Sequence, residues 1–393
     1  MHNAVLFQQQ LIIFVFMYLL IIVNVWKLAL FILFCVVCGT QLFYYLYFFR
    51  RLAVYKPPEK KSSQEYPVSV VICARDEADN IVKNLPGVLV QKYKTTHEVI
   101  VVNDNSTDET KFLLDEFRKS FKNLNPIPLK QEAKMIPGKK FPLSMGIKSA
   151  KYEVVLLTDA DCIPASELWI QKMQDAYYNG KQIVLGYGAF HKHKTMLNKL
   201  IRFETFHSAL QYFSFALAGM PYMGVGRNLS YKRELFISNK GFSSINHIPG
   251  GDDDLFINMV ANKDNTAIVI DKDAHTLSEA AHTWSIWQKQ KYRHYTTSKF
   301  YKSKHKLLLG LYSLSQVLFY PAAIVAALFY NWWLVLALFS LRMLVQGIIW
   351  FKSMKQLNEA DLFPYFIFLD IWMSFYYVLF APALWKKPAK NWK

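Results

Sequence analysis

The sequence predicts an α/β protein in which one domain holds a doubly wound, mainly parallel sheet and both ends of the chain form transmembrane helices. Two observations indicate this fold class. In the middle of the 393-residue chain, short apolar runs alternate with helical patterns, as in a parallel sheet covered by helices on both faces. At both ends lie apolar segments of about 20 residues, long enough to cross a bilayer.

The apolar segments divide the chain into three parts. Residues 1–51 hold one or two candidate spans, residues 52–306 form the polar, patterned domain, and residues 307–393 hold two or three candidate spans. The apolar runs lie at 5–25, 28–49, 307–329, 332–350 and 362–384. Because the last run contains Asp370 and is bracketed by prolines, it either spans the bilayer, re-enters it or lies along its surface.

Basic residues beside the candidate spans predict their orientation. Arg50, Arg51 and Lys56 follow the second apolar run, and Lys302 and Lys304 precede the third. Short basic flanks stay on the cytoplasmic side, so we expect a multi-pass protein of the cell (inner) membrane with a cytoplasmic central domain. The net charge of +17 fits attraction to membrane lipids, and the absence of a nucleic-acid-binding motif argues against a nucleic-acid partner.

Three strands and three helices alternate at the start of the central domain. The predicted strands lie at 68–74, 98–103 and 153–159, and the predicted helices at 79–91, 107–120 and 141–150. Asp79 and Thr107 are the predicted caps of the first two helices. Such alternation implies right-handed crossovers, so the carboxyl ends of the strands meet at one rim of the sheet, where ligands bind in folds of this kind.

Charged side chains follow each of these strands. Arg75 and Glu77 follow the first strand, Asp104 follows the second, and Asp159 and Asp161 follow the third. Helix capping accounts for one acid at a junction but not for several acids at one rim. The glycine fingerprint of dinucleotide-binding folds is absent, which argues against a dinucleotide site.

Asp159 and Asp161 form the pair with the clearest chemistry. Two carboxylates at positions i and i+2, where a strand breaks into a turn, can both reach a hard divalent cation. Mg²⁺ uses one or two protein carboxylates together with substrate phosphates, and Mn²⁺ favours similar oxygen ligands. The pair therefore predicts a Mg²⁺ or Mn²⁺ site that holds a diphosphate. Lys139, in a Gly-Lys-Lys turn, either offers charge to the phosphates or lies in a solvated turn.

Two later segments carry further candidate residues. Residues 250–256 read GGDDDLF, so three acids open a helix; one or two of them stabilise the helix dipole, and their mutual repulsion makes a raised pKa and a general-base role plausible. The basic, aromatic segment 284–294 is interpreted as a helix at the membrane surface. Gln290 and Arg293 fall on one face of that helix.

With these motifs, residues 68–300 resemble the family 2 glycosyltransferases of the glycosyltransferase-A fold, in the membrane-bound branch that includes cellulose, hyaluronan and poly-N-acetylglucosamine synthases. VSVVICARDE is similar to the opening strand of the family, with its nucleotide-binding turn at Arg75 and Glu77. VVNDNSTDET is similar to its uracil-binding segment, which implies that Asp104 contacts the base. The resemblance implies that Lys139 lies near the phosphates and that Asp161 is the more direct metal ligand of the DxD pair.

The resemblance extends to the acceptor side. The glycine turn at 224–233 is similar to the family's acceptor-side turn and implicates Gly226 and Asn228. GGDDDLF resembles Glu-Asp-x-Asp-Leu, which implies that Asp252 is the catalytic base, with Asp253 as the alternative. QKYRH resembles Gln-x-x-Arg-Trp, in which Gln290 and Arg293 bind the donor. His294 replaces the tryptophan that holds the growing chain at the acceptor site of processive enzymes.

The resemblance implies an inverting, metal-dependent hexosyltransferase in the membrane. It would transfer a sugar from a nucleotide-diphosphate sugar, most simply a UDP-linked one, to a lipid, a lipid-linked acceptor or another glycan. A processive polysaccharide synthase is the first alternative, which His294 and the small number of spans disfavour. A non-catalytic membrane subunit and a nucleotidyltransferase are the others. The sequence identifies neither the sugar nor any partner subunit.

Overall fold

The computed structural model describes residues 24–58, 65–130, 136 and 138–386. The first predicted apolar run, 5–25, lies almost entirely outside the described residues. Within them the chain forms an α/β domain, which holds two β-sheets, and a group of long apolar helices.

The main sheet has seven strands in the order β3-β2-β1-β4-β8-β6-β9. Its strands are β1 Val68–Ala74, β2 His97–Asn103, β3 Leu124–Pro128, β4 Val154–Asp159, β6 Ile183–Leu185, β8 Leu229–Lys232 and β9 Thr266–Ile268. Strands β1 to β4 pair in parallel, and β6 pairs in parallel with β9; β8 runs antiparallel to both β4 and β6. The predicted doubly wound, mainly parallel sheet is confirmed, and each of the three predicted strands agrees with the structure to within one residue.

A second, three-stranded sheet has the order β5-β10-β7. Its strands are β5 Cys162–Pro164, β7 Gly188–Phe190 and β10 Thr276–Ser278. Strand β5 begins immediately after Asp161, so this sheet continues the chain directly from the DxD pair. The sequence did not predict it, because a strand of three residues is too short to show a hydrophobic period.

The helices of the central domain cover both faces of the main sheet. They are Ala78–Leu89, Thr110–Ser120, Lys140–Ser149, Trp169–Gln174, Met196–Leu217, Arg233–Ser238, Asp254–Val260 and Trp284–Ser298. Alternate residues of β1 face opposite sides: Val71 and Cys73 pack with the Lys140–Ser149 helix, whereas Val70 and Ile72 pack with the Ala78–Leu89 helix. Strand β1 is therefore buried on both faces, which explains its nearly continuous apolar sequence.

The predicted helix caps are wrong. The second helix begins at Thr110 rather than at 107, and Asp108 Oδ1 accepts a hydrogen bond from the Thr110 N–H at 3.0 Å. Asp79 lies inside the first turn of its helix and does not cap it. Asp108 Oδ2 also accepts from the Ala78 N–H at 3.0 Å, so one aspartate serves the start of both helices.

Four helices are apolar and long enough to cross a membrane: Asn24–Ala53, Ser303–Phe329, Trp332–Gln356 and Ala360–Trp385. They match the second to fifth predicted runs. In the last helix, 3₁₀ turns at Ala360–Tyr365 and Ala381–Trp385 flank a regular segment, Phe366–Phe380. Pro364 and Pro382 lie in these two turns, which accounts for the interruptions.

A buried polar cluster joins the four apolar helices. Arg342 forms an ion pair with Asp370, and both side chains are fully buried. Arg342 Nη2 also donates to Gln41 Oε1 at 3.0 Å and to Gln316 Oε1 at 2.9 Å. Gln346 Nε2 donates to Asp370 Oδ1 at 2.7 Å. Each helix therefore contributes at least one member of this Arg342–Asp370 cluster.

Candidate active site

The loops after β1 and β2 are tied together at the rim of the main sheet. Asp76 has a positive φ of 51° and accepts a hydrogen bond from the Thr107 N–H at 2.7 Å, while its own N–H donates to Ser106 Oγ at 2.9 Å. These bonds fix the place of Asp104, which is buried and lies 3.9 Å from the Arg75 guanidinium. Arg75 remains 39% exposed, so the pair borders an accessible surface.

Asp159 lies at the end of β4, in register with Cys73 of β1, and forms an ion pair with Lys139. Burial disfavours the charge of both groups, but their mutual attraction outweighs it. The pKa of Lys139 is therefore raised well above its ordinary value, and the pKa of Asp159 is lowered. Of the two alternatives for Lys139, the solvated turn is excluded, because its side chain is only 14% exposed and pairs with Asp159.

Asp161 stands at an open cleft beside Asp159. The Asp161 side chain is exposed to solvent, but nearby protein atoms reduce its hydration. This partial desolvation and the negative charge of Asp159 raise the pKa of Asp161. The charge of Glu77 acts in the same direction, which places the turn after β1 close to the DxD pair. A cation bound here would relieve the repulsion between the carboxylates.

Lys140 holds the acidic GGDDD loop against the rim. Its side chain is fully buried, and its ammonium group donates to the carbonyl oxygens of Ile248 and Gly250. Burial lowers the pKa of Lys140. Gly138 and Gly250 both have positive φ, and a Cβ on Gly138 would lie 3.5 Å from the Gly250 nitrogen, so the two turns approach closely. Sequence reasoning missed Lys140 because nothing in the sequence distinguishes it from Lys139.

The three adjacent acids have different surroundings. Asp253 Oδ2 accepts from the Gly226 N–H and Oδ1 from the Asp254 N–H, both at 2.7 Å. Asp254 Oδ2 accepts from Thr297 Oγ1 at 2.6 Å and from Tyr301 OH at 2.8 Å. Asp252 is half-buried, and its carboxylate has no hydrogen-bond partner among the residues that the structure describes. Of the three carboxylates, that of Asp252 is therefore the one available to contact a ligand.

Burial and the neighbouring acids change the proton affinity of this loop. The pKa of Asp253 is raised to about 8 by burial and by the charges of Asp252 and Asp254. Burial also raises the pKa of Asp254, against the opposing hydrogen bonds from Thr297 and Tyr301. The raised pKa that the sequence predicted for this run therefore occurs in Asp253 and Asp254.

The glycine turn predicted for the acceptor side lies beside this loop. A Cβ on Gly226 would lie 3.3 Å from Asp253 Oδ2, which explains the need for glycine. Asn228 is fully buried and donates to the carbonyls of Tyr187 and Ala274, while its Oδ1 accepts from Trp169 Nε1 at 3.0 Å. The hydrogen bonds of the Asn228 amide therefore stabilise the turn on its buried side.

The helix Trp284–Ser298 closes another side of the cleft. Arg293 and Gln290 are half-buried, and the Arg293 charge helps to lower the pKa of Asp159. His294, the next residue after Arg293, is exposed. Arg227, which the sequence did not single out, also acts on Asp159 and is held by the Gly188 carbonyl at 2.8 Å.

The buried thiol of Cys73 shows how closely these groups are gathered. Burial raises its pKa to about 12; the Lys139 charge opposes this shift, whereas Asp252, Asp159 and Asp104 add to it. Three carboxylates from three distant segments thus act on one atom. Within the described ranges, no group of three or more histidine, cysteine, aspartate or glutamate side chains is arranged to hold a metal on its own.

Comparison with known proteins agrees with this geometry. Residues 69–237 match the model of the glycosyl transferase family 2. The chain is 31% identical over 121 residues to the poly-beta-1,6-N-acetyl-D-glucosamine synthase of Staphylococcus aureus (strain MSSA476), a match that covers 30% of this chain and 28% of the synthase. It is 33% identical over 106 residues to the glycosyltransferase AglE of Haloferax volcanii, covering 27% of this chain and 33% of AglE.

The matches to these curated relatives span about a third of their length or less. Among solved structures, the mannosyltransferase PcManGT of Pyrobaculum calidifontis, in complex with GDP-Man and Mn²⁺, superposes with a TM-score of 0.59 at 17% identity, covering 92% of this chain and 99% of that one. This likeness concerns the fold. The chain therefore matches the glycosyl transferase family 2 model over residues 69–237 and has a glycosyltransferase-A-like α/β fold.

Proposed function

We propose that the protein is a membrane-bound, metal-dependent, inverting glycosyltransferase that transfers a sugar from a nucleotide-diphosphate sugar to a lipid or lipid-linked acceptor. One observation carries the proposal: Asp159 is paired with Lys139 and lies in register with Cys73, and the charges of Asp104 and Asp252 also act on that buried thiol. Such a rim offers contacts for the nucleobase and the diphosphate of a donor and for an attacking hydroxyl in one cleft. The four apolar helices support attachment to the membrane.

Asp159 and Asp161 would hold the divalent metal, as either Mg²⁺ or Mn²⁺. The donor set fits, because it consists of carboxylate oxygens and because the charge of Asp159 raises the pKa of Asp161. When bound, such a metal neutralises charge on a departing diphosphate. The Mn²⁺ in the PcManGT complex supports this assignment by analogy.

The residues of the chain supply the remaining chemistry. Asp104 and Arg75 would bind the nucleoside, and Lys139 and Arg293 would place positive charge around the diphosphate. Asp252 would take the proton from the acceptor hydroxyl as that oxygen attacks the anomeric carbon. The bond to the diphosphate breaks in the same displacement, so an α-linked donor gives a β-linked product. Asp253, held by two backbone N–H groups, would shape the loop that carries Asp252.

The acceptor is the least constrained part of the proposal. The last apolar helix packs on the helix that carries Arg293, and Tyr292 OH donates to the Leu379 carbonyl at 3.3 Å. A lipid-borne acceptor at the membrane surface would therefore lie close to the cleft. A processive synthase is the second candidate, favoured by the likeness to the staphylococcal synthase. His294, in place of the tryptophan of processive enzymes, favours a single transfer.

A donor screen tests the proposal. The full chain, purified in detergent, is incubated with UDP-N-acetylglucosamine, UDP-glucose or GDP-mannose and with Mn²⁺ or Mg²⁺, and released nucleoside diphosphate is measured with and without extracted lipid. We expect release from one donor that chelator abolishes. One sugar added to lipid supports single transfer, and a ladder of oligomers supports the synthase. No release from any donor would contradict the proposal, and release of pyrophosphate would indicate a nucleotidyltransferase.

Asp252→Asn tests the assignment of the base. Loss of a general base slows proton transfer by about 10²- to 10⁴-fold, so we expect turnover to fall by that order while donor affinity stays within a factor of about two. Turnover is followed by nucleoside diphosphate release and donor affinity by calorimetry. Turnover near that of the wild type would remove Asp252 from the mechanism.

A further inference from the structure

The helix Trp284–Ser298 has one face buried against the last apolar helix. Trp287, Lys291 and Tyr295 recur every four residues and therefore share that face. The ring of Trp287 lies 5.3 Å from that of Phe380, and the ring of Tyr295 lies 5.7 Å from it. Two of the three side chains are aromatic and pack as expected, but the third is a lysine.

The ion-pair partner of Lys291 lies on a different helix. It forms an ion pair with Glu204 of the Met196–Leu217 helix, and the two side chains are only 11% and 7% exposed. Tyr376 OH, from the last apolar helix, donates to Glu204 Oε1 at 3.1 Å. Burying two charges is costly unless they remain together, so this pair strongly restricts how the Trp284–Ser298 helix can rotate or shift.

The opposite face of the same helix borders the cleft. Arg293 lies two residues beyond Lys291, about 200° further round the helix. Its charge acts on Asp159 of the DxD pair. One turn further, Thr297 Oγ1 donates to Asp254 Oδ2 at 2.6 Å, which ties the helix to the acidic loop. A rotation that moved Lys291 would therefore also move Arg293 away from the DxD pair.

We propose that Glu204 and Lys291 are positioning residues, whose buried ion pair sets the rotation of the Trp284–Ser298 helix so that Arg293 meets the donor diphosphate. The proposal rests on the proposed function in one respect, that a diphosphate is the group Arg293 meets. The side chains of Glu204 and Lys291 are both largely buried. Tyr376 brings the last apolar helix into the same arrangement, so this helix helps to align the donor site.

Glu204→Gln removes the charge and keeps the shape. Glu359→Gln is the matched control. Glu359 forms an ion pair with Arg202, which lies on the same helix as Glu204, and the side chains of Glu359 and Arg202 are 2% and 1% exposed. Neither residue belongs to the Trp284–Ser298 helix. The full-length variants are compared in detergent, with Mn²⁺, by calorimetric titration with UDP and GDP. We expect Glu204→Gln to weaken nucleoside diphosphate binding by about tenfold, the scale of one charge-assisted contact, and Glu359→Gln to leave it within a factor of about two.

A second comparison separates positioning from general damage. In an Arg293→Ala background, Glu204→Gln has no further effect on nucleotide affinity if it acts through Arg293, because the contact is already lost. An equal loss in both backgrounds, or an equal loss in Glu359→Gln, would overturn the positioning role.

Turnover distinguishes this inference from the proposed function. A wild-type protein that binds a nucleoside diphosphate and releases none from any sugar donor would refute the transferase assignment, while the binding comparison still decides the role of Glu204. Wild-type binding and turnover with an unaffected Glu204→Gln variant would refute positioning alone. A wild-type protein that binds neither nucleotide would overturn both.

Discussion

Lys139 neutralises Asp159 when no substrate is present. The two groups form an ion pair at the end of β4, and each stabilises the charged form of the other. At the proposed metal site, a metal ion and Lys139 would therefore compete for the Asp159 carboxylate, whereas a diphosphate could bind both the metal and Lys139. Such competition would favour binding of the metal together with the donor over binding of the metal alone.

Lys139→Met should separate these two effects. Without the ammonium group, the DxD pair carries uncompensated negative charge, so we expect Mn²⁺ to bind a few-fold more tightly in the absence of nucleotide. The donor loses a phosphate contact, so its KM should rise by about tenfold. Calorimetry with Mn²⁺ and donor-dependent release of nucleoside diphosphate measure the two effects. Lys111→Met, at an exposed position, is the control. Weaker Mn²⁺ binding or an unchanged donor KM in Lys139→Met would contradict this account.

The acidic loop should make stability depend on pH. Burial and its acidic neighbours raise the pKa of Asp253 to about 8, whereas an unfolded aspartate titrates near pH ~4. Between these values the native state binds a proton that the unfolded chain releases, so stability falls as the pH rises from about 4 to about 8. Asp254 and Asp161, whose pKa values are also raised, act in the same direction.

We therefore expect the melting temperature of Asp253→Asn, which cannot titrate, to rise relative to that of the wild type as the pH increases from about 5 to about 8. Thermal unfolding in detergent across this range measures the slope. Asp115→Asn, on an exposed helical position, should keep the wild-type slope. An unchanged slope in Asp253→Asn would show that its carboxyl does not hold the proton.

Individual residues were predictable where local sequence determines their place. Asp104, Asp159 and Asp161 follow strands whose ends could be identified, so the gathering at the rim could be expected. The hydrogen bonds of Lys140 and Asn228 that hold the neighbouring loops depend on partners more than 40 residues away in the chain. Contacts between residues so far apart cannot be predicted from the local sequence pattern. The roles assigned to the individual site residues stay predictions.

Among the elements, the turn that opens the Asp254–Val260 helix is the most constrained. Gly251 has a φ of +84°, and a Cβ there would lie 2.4 Å from Leu255 Cδ1. A side chain at this position would require a strained φ and a shift of the Leu255 side chain. The glycine therefore suits the turn that carries Asp252 better than the glutamate that the resemblance would place there.

Gly251→Ala should distort this turn. Strain in the left-handed region costs about 1–3 kcal/mol, and the contact with Leu255 adds to it, so we expect a lower melting temperature together with reduced turnover. Gly180→Ala is the matched control, because Gly180 has a φ of +76° but no atom within 4 Å of the new Cβ. It isolates the backbone strain of about 1–2 kcal/mol and should leave turnover unchanged. Equal effects in the two variants would contradict a tightly packed turn.

The elements also show where sequence patterns fail. Strands β1, β2 and β4 were predicted almost to the residue, because strands buried on both faces are nearly uniformly apolar. Strands β5, β7 and β10 were not, since each has three residues and is formed by tertiary pairing. The start of the Thr110–Ser120 helix was placed three residues early because Asp108, rather than Thr107, satisfies its first N–H groups.

At the scale of the whole molecule, the Arg342–Asp370 cluster holds the apolar helices together. Removing one member of a buried ion pair leaves an uncompensated charge and costs about 3–5 kcal/mol. Arg342→Met should therefore lower the melting temperature in detergent sharply, whereas Arg342→Met with Asp370→Leu should recover part of the loss. Lys352→Met, exposed on the same helix, should change stability by less than about 0.5 kcal/mol. A double variant as unstable as the single one would contradict the pairing.

The same ion pair bears on how the chain is made. Asp370 lies 28 residues after Arg342, so a ribosome delivers the arginine first. Until the carboxylate arrives, the partners that the structure describes for the guanidinium are all neutral and include the amides of Gln41 and Gln316. A nascent chain that stopped in this interval would hold the guanidinium without its carboxylate, the arrangement in which a buried charge is most costly. The charge of Arg342 is thus balanced only after the chain has been synthesised as far as Asp370.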